Sequence, residues 1–196
     1  MSGSRLADIV DTDKLTAETP ESIKQIWDKY HEDVTKDKIG AYLGKQEYET
    51  FVQRAAESPL FVFPLEKKSS VDGPSGFLTV LLQAQLPAVH FTPLSDYQSL
   101  GQRSTSILSV NHYPELAESK GIVLSRGDFA SSPTGEKLSL LEGKKLLAMA
   151  YLYYLNPGFY KRVWCMNHDP EKFSFDELSE ELGLLQNLDH TKSKDE

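Results

Sequence analysis

Two stretches in the first half of the chain have hydrophobic patterns that are typical of β-strands. One is a short apolar run, and the other has apolar residues at every second position. Residues 60–63 form a short apolar run between Pro59 and Pro64, and proline ends a strand ladder because it has no amide proton to donate. In residues 76–85 the even positions from 78 to 84 are apolar, while the odd positions change from Phe77 to glutamine. This period of two predicts a strand with one buried face. We therefore predict two strands joined by an exposed hairpin loop at residues 67–74.

Apolar residues spaced three and four positions apart predict amphipathic helices before and after these strands. The first helix begins at Thr19-Pro20, where a capping side chain precedes a proline in the first turn, and it continues to Tyr30. Gly44 is expected to cap a second helix, supported by Glu47 at the third helical position. Residues 36–43 predict a short connecting element, and Arg126-Gly127-Asp128 predicts a tight turn. Further helices are predicted at residues 94–100, 113–120, 136–154 and 174–188, and further strands at residues 88–91, 107–110, 122–124 and 160–166.

This order of elements predicts an α+β fold. Strands concentrate in the middle of the chain and helices lie before and after them, which indicates a single domain with a central mixed, mostly antiparallel sheet flanked by helices. A long helix between the strands predicted at 122–124 and 160–166 allows one parallel crossover. The domain is expected to span residues 19–188. Residues 1–18 are expected to be a flexible N-terminal segment, and residues 189–196 a disordered acidic tail.

Charge and composition narrow the classes of partner. The net charge is −8. Most of this charge lies after residue 166, where the sequence has nine acidic residues and three lysines. Nucleic acid and anionic lipid both require a basic surface, so neither is an expected partner. No apolar run reaches the ~18 residues of a membrane-spanning helix, so no membrane insertion is expected. The single Cys165 cannot form an internal disulfide, which fits a reducing compartment.

The motifs of common cofactor and metal sites are missing from the sequence. Gly143-Lys144 lacks the preceding glycine of a phosphate-binding loop, and no dinucleotide-binding glycine pattern occurs. The five histidines lack the spacing of a zinc site, so we expect no cofactor and no metal. His90 and His112 each precede a helix that begins with proline, and we interpret them as partners of helix-end backbone groups. Cys165, within a predicted strand, is interpreted as an inert core residue.

Seven stretches along the chain form an ordered set: residues 26–31, Ile39-Gly40-Ala41-Tyr42-Leu43, residues 58–65, residues 89–94, His112-Tyr113, residues 118–124 and Arg126-Gly127-Asp128. Together they resemble the mitochondrial F1-ATPase assembly factor family that acts on the β subunit. The resemblance implies a non-enzymatic chaperone of the mitochondrial matrix that binds the free β subunit of F1 and prevents its aggregation until the α subunit replaces it. It also implies a monomer without cofactor, in a mature form from which the transit segment is absent.

The candidate partner-binding residues lie where strands pass into helices or turns, because such junctions place side chains at the end of a sheet. Two other function classes stay open. One is a small hydrolase or transferase that uses His90 or His112, and the other is a passive structural subunit of a larger complex. A hydrolase would require a pocket with a carboxylate partner for the histidine. The candidates for partner binding are His90, Phe91, Thr92, Leu94, Tyr97, Arg126 and Asp128.

Overall fold

The computed structural model describes residues 5–32, 37–67 and 76–192, with side chains as far as residue 183. Within these ranges the chain forms one six-stranded sheet in the order β1-β6-β5-β4-β3-β2. The strands are β1 (Lys38–Gly44), β2 (Leu60–Lys67), β3 (Gly76–Gln85), β4 (Ala88–Pro93), β5 (Leu108–Tyr113) and β6 (Ile122–Phe129). The α-helices are α1 (Thr12–Ala17), α2 (Pro20–His31), α3 (Lys45–Glu57), α4 (Leu94–Leu100), α5 (Ala117–Lys120), α6 (Leu140–Leu155), α7 (Pro157–His168) and α8 (Phe175–Lys192).

The sheet confirms the predicted α+β class. Every pair of neighbouring strands among the described residues is antiparallel, so the expected parallel crossover was wrong. This prediction failed because residues 160–166 were expected to form a strand, whereas they lie in α7. Asn156 caps α7 by accepting a hydrogen bond from the Gly158 amide at 2.8 Å, and Val163 is the buried residue of this helix. Aromatic and β-branched residues favour strands only weakly, and here the helix cap and the packing of α7 decide the structure instead.

Two segments predicted to be irregular are strands. Residues 36–43 were expected to connect two helices, but Lys38–Gly44 is β1, with Ile39 and Leu43 buried. Arg126-Gly127-Asp128 was expected to be a tight turn, but all three residues lie inside β6. Gly127 is present there for space rather than for a turn, because a β-carbon would lie 2.6 Å from Ile39 Cγ1.

β2 extends past Pro64, which was expected to end it. The amide of Ala84 donates to the carbonyl of Pro59 at 2.8 Å, so odd-numbered residues of β2 direct their backbone groups toward β3 and even-numbered residues direct theirs outward. β2 is an edge strand. The missing amide proton of Pro64 therefore interrupts no bond of the ladder, which is the position where a strand tolerates proline.

One face of the sheet, which we call the helix face, carries most of the core. The helices α3, α6, α7 and α8 contribute buried residues to the same cluster as the inward side chains of the strands. Phe51 and Tyr154 pack with ring centroids 5.3 Å apart, and Phe61 and Tyr153 do the same at 5.3 Å. The first pair joins α3 to α6 and the second joins β2 to α6, and such aromatic pairs bury large areas and favour defined ring geometries.

A second, smaller core covers one end of the opposite face. There α2 packs on β1 and β6, Trp27 is buried, and its indole N–H donates to the carbonyl of Ser125 at 3.0 Å. The segment before α2, expected to be flexible, contains α1 and a 3-10 turn, and Leu6 and Leu15 are buried in the same cluster. Two isolated contacts give no periodicity, so the sequence pattern did not indicate them.

Several predicted elements agree with the structure. Thr19 caps α2 by accepting from the Ser22 amide at 3.2 Å, and Glu47 accepts from the Gly44 amide at 2.8 Å at the start of α3. The predicted hairpin loop falls almost wholly on residues 68–75, outside the described residues. α8 continues past residue 189 to Lys192, and residues 193–196 of the predicted tail lie outside the described ranges. No described helix combines the length and apolar character needed to cross a membrane.

We predict that Gly40→Val separates α2 from the sheet. A β-carbon at Gly40 would lie 2.6 Å from His31 Nδ1 and 3.1 Å from Trp27 Nε1, so the helix would have to move. Overpacking of this kind lowers the free energy of unfolding by about 1–3 kcal/mol, which chemical denaturation measures. Gly76→Val is the control, because a β-carbon at Gly76 meets no atom within 4 Å. Equal stability of the two variants would contradict this account of α2 docking.

Candidate functional site

A polar groove lies on the face of the sheet opposite the helix face, between β3, β4 and β5 on one side and α4 with the following turn on the other. Its volume is about 870 Å³. The side chains come from alternate positions of the three strands, so the period of two that buries their neighbours also exposes them. The lining residues are Gln83, Gln85, Leu86, Pro87, Ala88, His90, Thr92, Tyr97, Gly101, Gln102, Ser104, Ser106, Ser109 and Asn111.

The structure brings five of the seven predicted site residues to this face. His90, Thr92 and Tyr97 line the groove. Arg126 and Asp128 lie two strands away on the same face, because His90 pairs with Ser109 and Ser109 pairs with Asp128. Thr92 is almost fully buried, at 1% exposure, so its side chain contributes to the floor of the groove more than to its surface.

Phe91 and Leu94 do not belong to the groove. Phe91 has no exposed surface; it pairs with Leu82 and Leu108 and points to the helix face. It cannot touch a partner while the sheet is intact. The alternation along β4 could have indicated this, since Phe91 stands between His90 and Thr92 on a strand. Leu94, at the start of α4, is a half-buried residue packed against the main core.

A small ion network connects β1 and β6 beside the groove. Asp128 accepts from Lys38 Nζ and, at 3.3 Å, from a terminal nitrogen of Arg126. The Arg126 side chain is 16% exposed, and its Nε is buried without a hydrogen-bond partner. A buried donor left without an acceptor costs about 1–3 kcal/mol. Arg126 therefore combines a buried donor without a partner with a small exposed part of its side chain.

His90 contacts Ser109 inside the groove, with Nδ1 3.0 Å from Oγ. Partial burial lowers the pKa of His90 from its ordinary value, which favours the neutral imidazole. A serine–histidine pair resembles two members of a hydrolase triad, but a triad also needs a carboxylate on the far side of the histidine. Among the described residues the nearest carboxylate along this row is Asp128, which lies across from Ser109 instead. Gln83 occupies the position beside His90.

His112 is the second candidate histidine, and it is buried on the helix face. Its Nδ1 lies 2.8 Å from the carbonyl of Pro87, in the turn between β3 and β4 rather than at a helix end. A carbonyl only accepts, so Nδ1 carries a proton and Nε2 of the neutral ring is left as an acceptor. The Tyr151 hydroxyl lies 3.2 Å from Nε2 and 3.0 Å from Ser125 Oγ. Burial lowers the pKa of His112 to about 4.

Other candidate chemistry has a structural explanation. Cys165, predicted to lie in a strand, is a half-buried residue of α7 whose Sγ contacts the carbonyl of Asp169 at 3.4 Å. Gly143 lies within α6, where a β-carbon would lie 2.5 Å or less from ring atoms of Phe129, so it permits close packing. The described residues contain no group of three or more histidine, cysteine, aspartate or glutamate side chains that could hold a metal ion.

Sequence reasoning missed the polar residues of β3 and β5. Ser109 and Asn111 lie on the groove side of β5, and Gln83 and Gln85 lie on the same side of β3. The sequence signal that could have indicated these residues is the polar half of the period-two alternation along each strand. In β3 this signal is visible as a change of one strand face from apolar to polar. Which other strands contribute side chains to the same face depends on the order of the strands in the sheet.

Comparison with known proteins places the chain in a family. A family model described as ATP11 protein matches residues 2–182. The chain belongs to the ATP11 family. Relatives named ATP synthase mitochondrial F1 complex assembly factor 1 cover most of it. The Mus musculus protein is 29% identical over 195 residues, which is 97% of this chain and 56% of the mouse protein.

Two further relatives of the ATP11 family chain carry the same name. The Homo sapiens protein is 28% identical over 179 residues, 90% of this chain and 51% of the human protein. The Danio rerio protein is 24% identical over 170 residues, 86% of this chain and 52% of the fish protein. The chain thus spans about half the length of these curated relatives. The family match confirms the resemblance seen in the sequence.

We predict that the stability of this ATP11 family chain falls between pH 6.5 and pH 4 because of His112. Burial lowers its pKa from 6.5 to about 4 in the folded chain, so in this range the unfolded chain binds a proton that the folded chain does not. Stability from this residue is therefore present above pH 6.5 and is lost as the pH falls, by about 3 kcal/mol in total.

Urea denaturation at several pH values measures this dependence. His112→Gln should flatten the slope between pH 6.5 and 4.5, whatever its effect on stability at neutral pH. His90→Gln is the control, because His90 is only half-buried and should contribute less. An unchanged slope in His112→Gln would show that another group takes up the proton.

Proposed function

We propose that the chain is an assembly chaperone of the mitochondrial F1 ATP synthase. In this proposal it binds the free β subunit in the mitochondrial matrix, prevents its aggregation and releases it when the α subunit takes its place. It acts as a monomer, without a cofactor and without catalysing a reaction. Membership of the ATP11 family and the names of three relatives support an assembly role.

The observation that carries the proposal is the partly uncovered face of the sheet with Arg126 beside the polar groove. The groove is open and lined by hydrogen-bonding side chains, and Arg126 Nε is a buried donor without an acceptor. The Arg126 side chain as a whole is 16% exposed, so a protein partner that supplies a carboxylate or carbonyl oxygen would form a charge-assisted bond at the exposed part of this side chain rather than at Nε. Interfaces of this type favour arginine and tyrosine as anchors, and Tyr97 lies at the wall of the same groove.

The physical demand for such a protein comes from the state of an unassembled subunit. A β subunit without its neighbours exposes apolar surface that is normally covered by α, and exposed apolar surface of that size drives aggregation. A chaperone that covers this surface lowers the concentration of the aggregation-prone species. Replacement by α needs only a tighter competitor for the same surface, because mass action then drives the exchange.

We predict that Arg126→Glu weakens the binding of purified F1 β subunit by about tenfold or more, since it removes the cationic donor and places a negative charge opposite the oxygen that the partner would supply. Tyr97→Ala is expected to weaken binding in the same direction. Isothermal titration measures the affinity, and light scattering of β during refolding measures protection from aggregation. Circular dichroism melting checks that each variant is folded.

Lys172→Glu is the matched control for charge. It makes the same change in net charge at a side chain that is 79% exposed and far along the chain, beside Asp169, and its affinity for β should stay within about twofold. If Arg126→Glu and Tyr97→Ala bind β as the unmodified chain does, this face is not the binding surface. If the unmodified chain neither binds β nor reduces its aggregation, the proposed function is wrong.

A further inference from the structure

The two edges of the sheet differ in how well they are closed. At the β2 edge, the Asn167 side chain imitates a neighbouring strand: its Oδ1 accepts from the Leu60 amide at 3.2 Å, and its Nδ2 donates to the Leu60 carbonyl at 2.6 Å. Pro64 removes another outward donor from the same edge. Proteins close exposed edges in these ways because an open ladder pairs with other chains.

At the centre of the β1 edge, no residue that the structure describes provides such a closure. The amide of Lys45 donates to the carbonyl of Gly121 at 2.9 Å, and the register of β1 with β6 then directs the backbone groups of residues 39, 41 and 43 toward β6. Gly40 and Tyr42 must direct theirs outward. The next outward amide, that of Gly44, is already bound to Glu47. No hydrogen bond to the outward groups of Gly40 or Tyr42 comes from another described residue.

The solvent exposure of the residues in the two edge strands differs in the same sense. The central residues of β2 are buried, whereas β1 alternates between buried and partly exposed residues. Tyr42 is 37% exposed, and the ammonium group of Lys24 lies 5.3 Å from the centre of its ring. Lys24 has no carboxylate partner among the described residues. The open edge is therefore bordered by an aromatic ring and a cation.

We propose that β1 binds an extended segment of the F1 partner, which adds to the sheet as a further strand beside Lys38–Gly44. The occupant must be an extended backbone, because the unsatisfied groups are an alternating row of amide donors and carbonyl acceptors. Next to Tyr42 it should carry an apolar residue, with an acidic residue in reach of Lys24. This inference rests on the proposed function and specifies how the partner is held.

The arrangement also connects this edge to the surface already described. Gly40 pairs with Arg126, and Lys38 pairs with Asp128, so the side chains of the outward residues of β1 lie on the same face as the groove. A partner strand on β1 would place its own side chains beside this ion network. A single partner can then contact the edge and the groove together.

Hydrogen–deuterium exchange of the unmodified chain, alone and with purified F1 β subunit, tests the proposal. In the free chain the amides of Gly40 and Tyr42 should exchange rapidly, while those of Ala41 and Leu43 are protected by β6. In the complex the exchange of Gly40 and Tyr42 should slow by at least about tenfold. Complex formation with no slowing at either amide would overturn the edge proposal while leaving the proposed function intact.

A pair of variants separates the backbone from the side chain. Tyr42→Pro removes one outward amide without a bond to β6, a change that edge strands accept, and should weaken binding of β by about tenfold or more. Tyr42→Val keeps the amide and the strand preference, so it should retain most of the affinity. Equal affinities of these two variants would contradict strand addition.

A second copy of this chain is the competing occupant of the edge. If sedimentation shows that the chain alone is a dimer and its Gly40 and Tyr42 amides are already protected, the edge belongs to self-association and the proposal is wrong. If the unmodified chain shows no binding to β, the proposed function fails first, and that result is distinct from binding without protection of the edge.

Discussion

Aromatic packing between the helix face of the sheet and the helices α3 and α6 is the interaction on which the rest of the structure depends. Tyr153 and Tyr154 are both fully buried, and they pack in different directions. Tyr153 lies against Phe61, and Tyr154 lies against Phe51 while its hydroxyl donates to the Ser58 carbonyl at 2.8 Å. This face collects four helices. In the part of the chain that the structure describes, the opposite face is covered at one end by α2, the N-terminal segment and the turn that contains Leu116, and α4 lies beside the groove.

The uncovered part of the sheet is a consequence of this unequal distribution. Polar side chains alternate with core residues along β3, β4 and β5, and no described helix lies over them at the groove. The same face holds Arg126, whose Nε has no partner, and leads to β1 at the edge. A surface with satisfied polar groups would be an ordinary solvated face. Here an unsatisfied side-chain donor and an open row of backbone groups lie close together.

Close backbone approach is the second recurring feature. Gly40 allows α2 to lie against β1, and Gly127 leaves room for Ile39 and Leu108 on the helix face. Neither glycine lies at a turn, and neither has a positive φ. They hold β1 between two packed layers, so that its backbone is fixed on three sides and open only on the fourth. A rigid, preformed edge binds a strand with less loss of entropy than a mobile one.

The sequence by itself determined the α+β class, the helices that begin at Pro20 and Lys45, the strand at Gly76–Gln85 and the family, because caps and periodicities are local properties of the chain. It placed His90, Tyr97 and Arg126 among the candidates but also included Phe91, whose orientation follows from strand pairing. Only the tertiary structure decided that residues 38–44 form an edge strand, that Arg126-Gly127-Asp128 lies inside a sheet, and that residues 160–166 form a helix. Strand order and edge closure arise from contacts between distant segments, such as Asn167 with Leu60, and no local pattern encodes them.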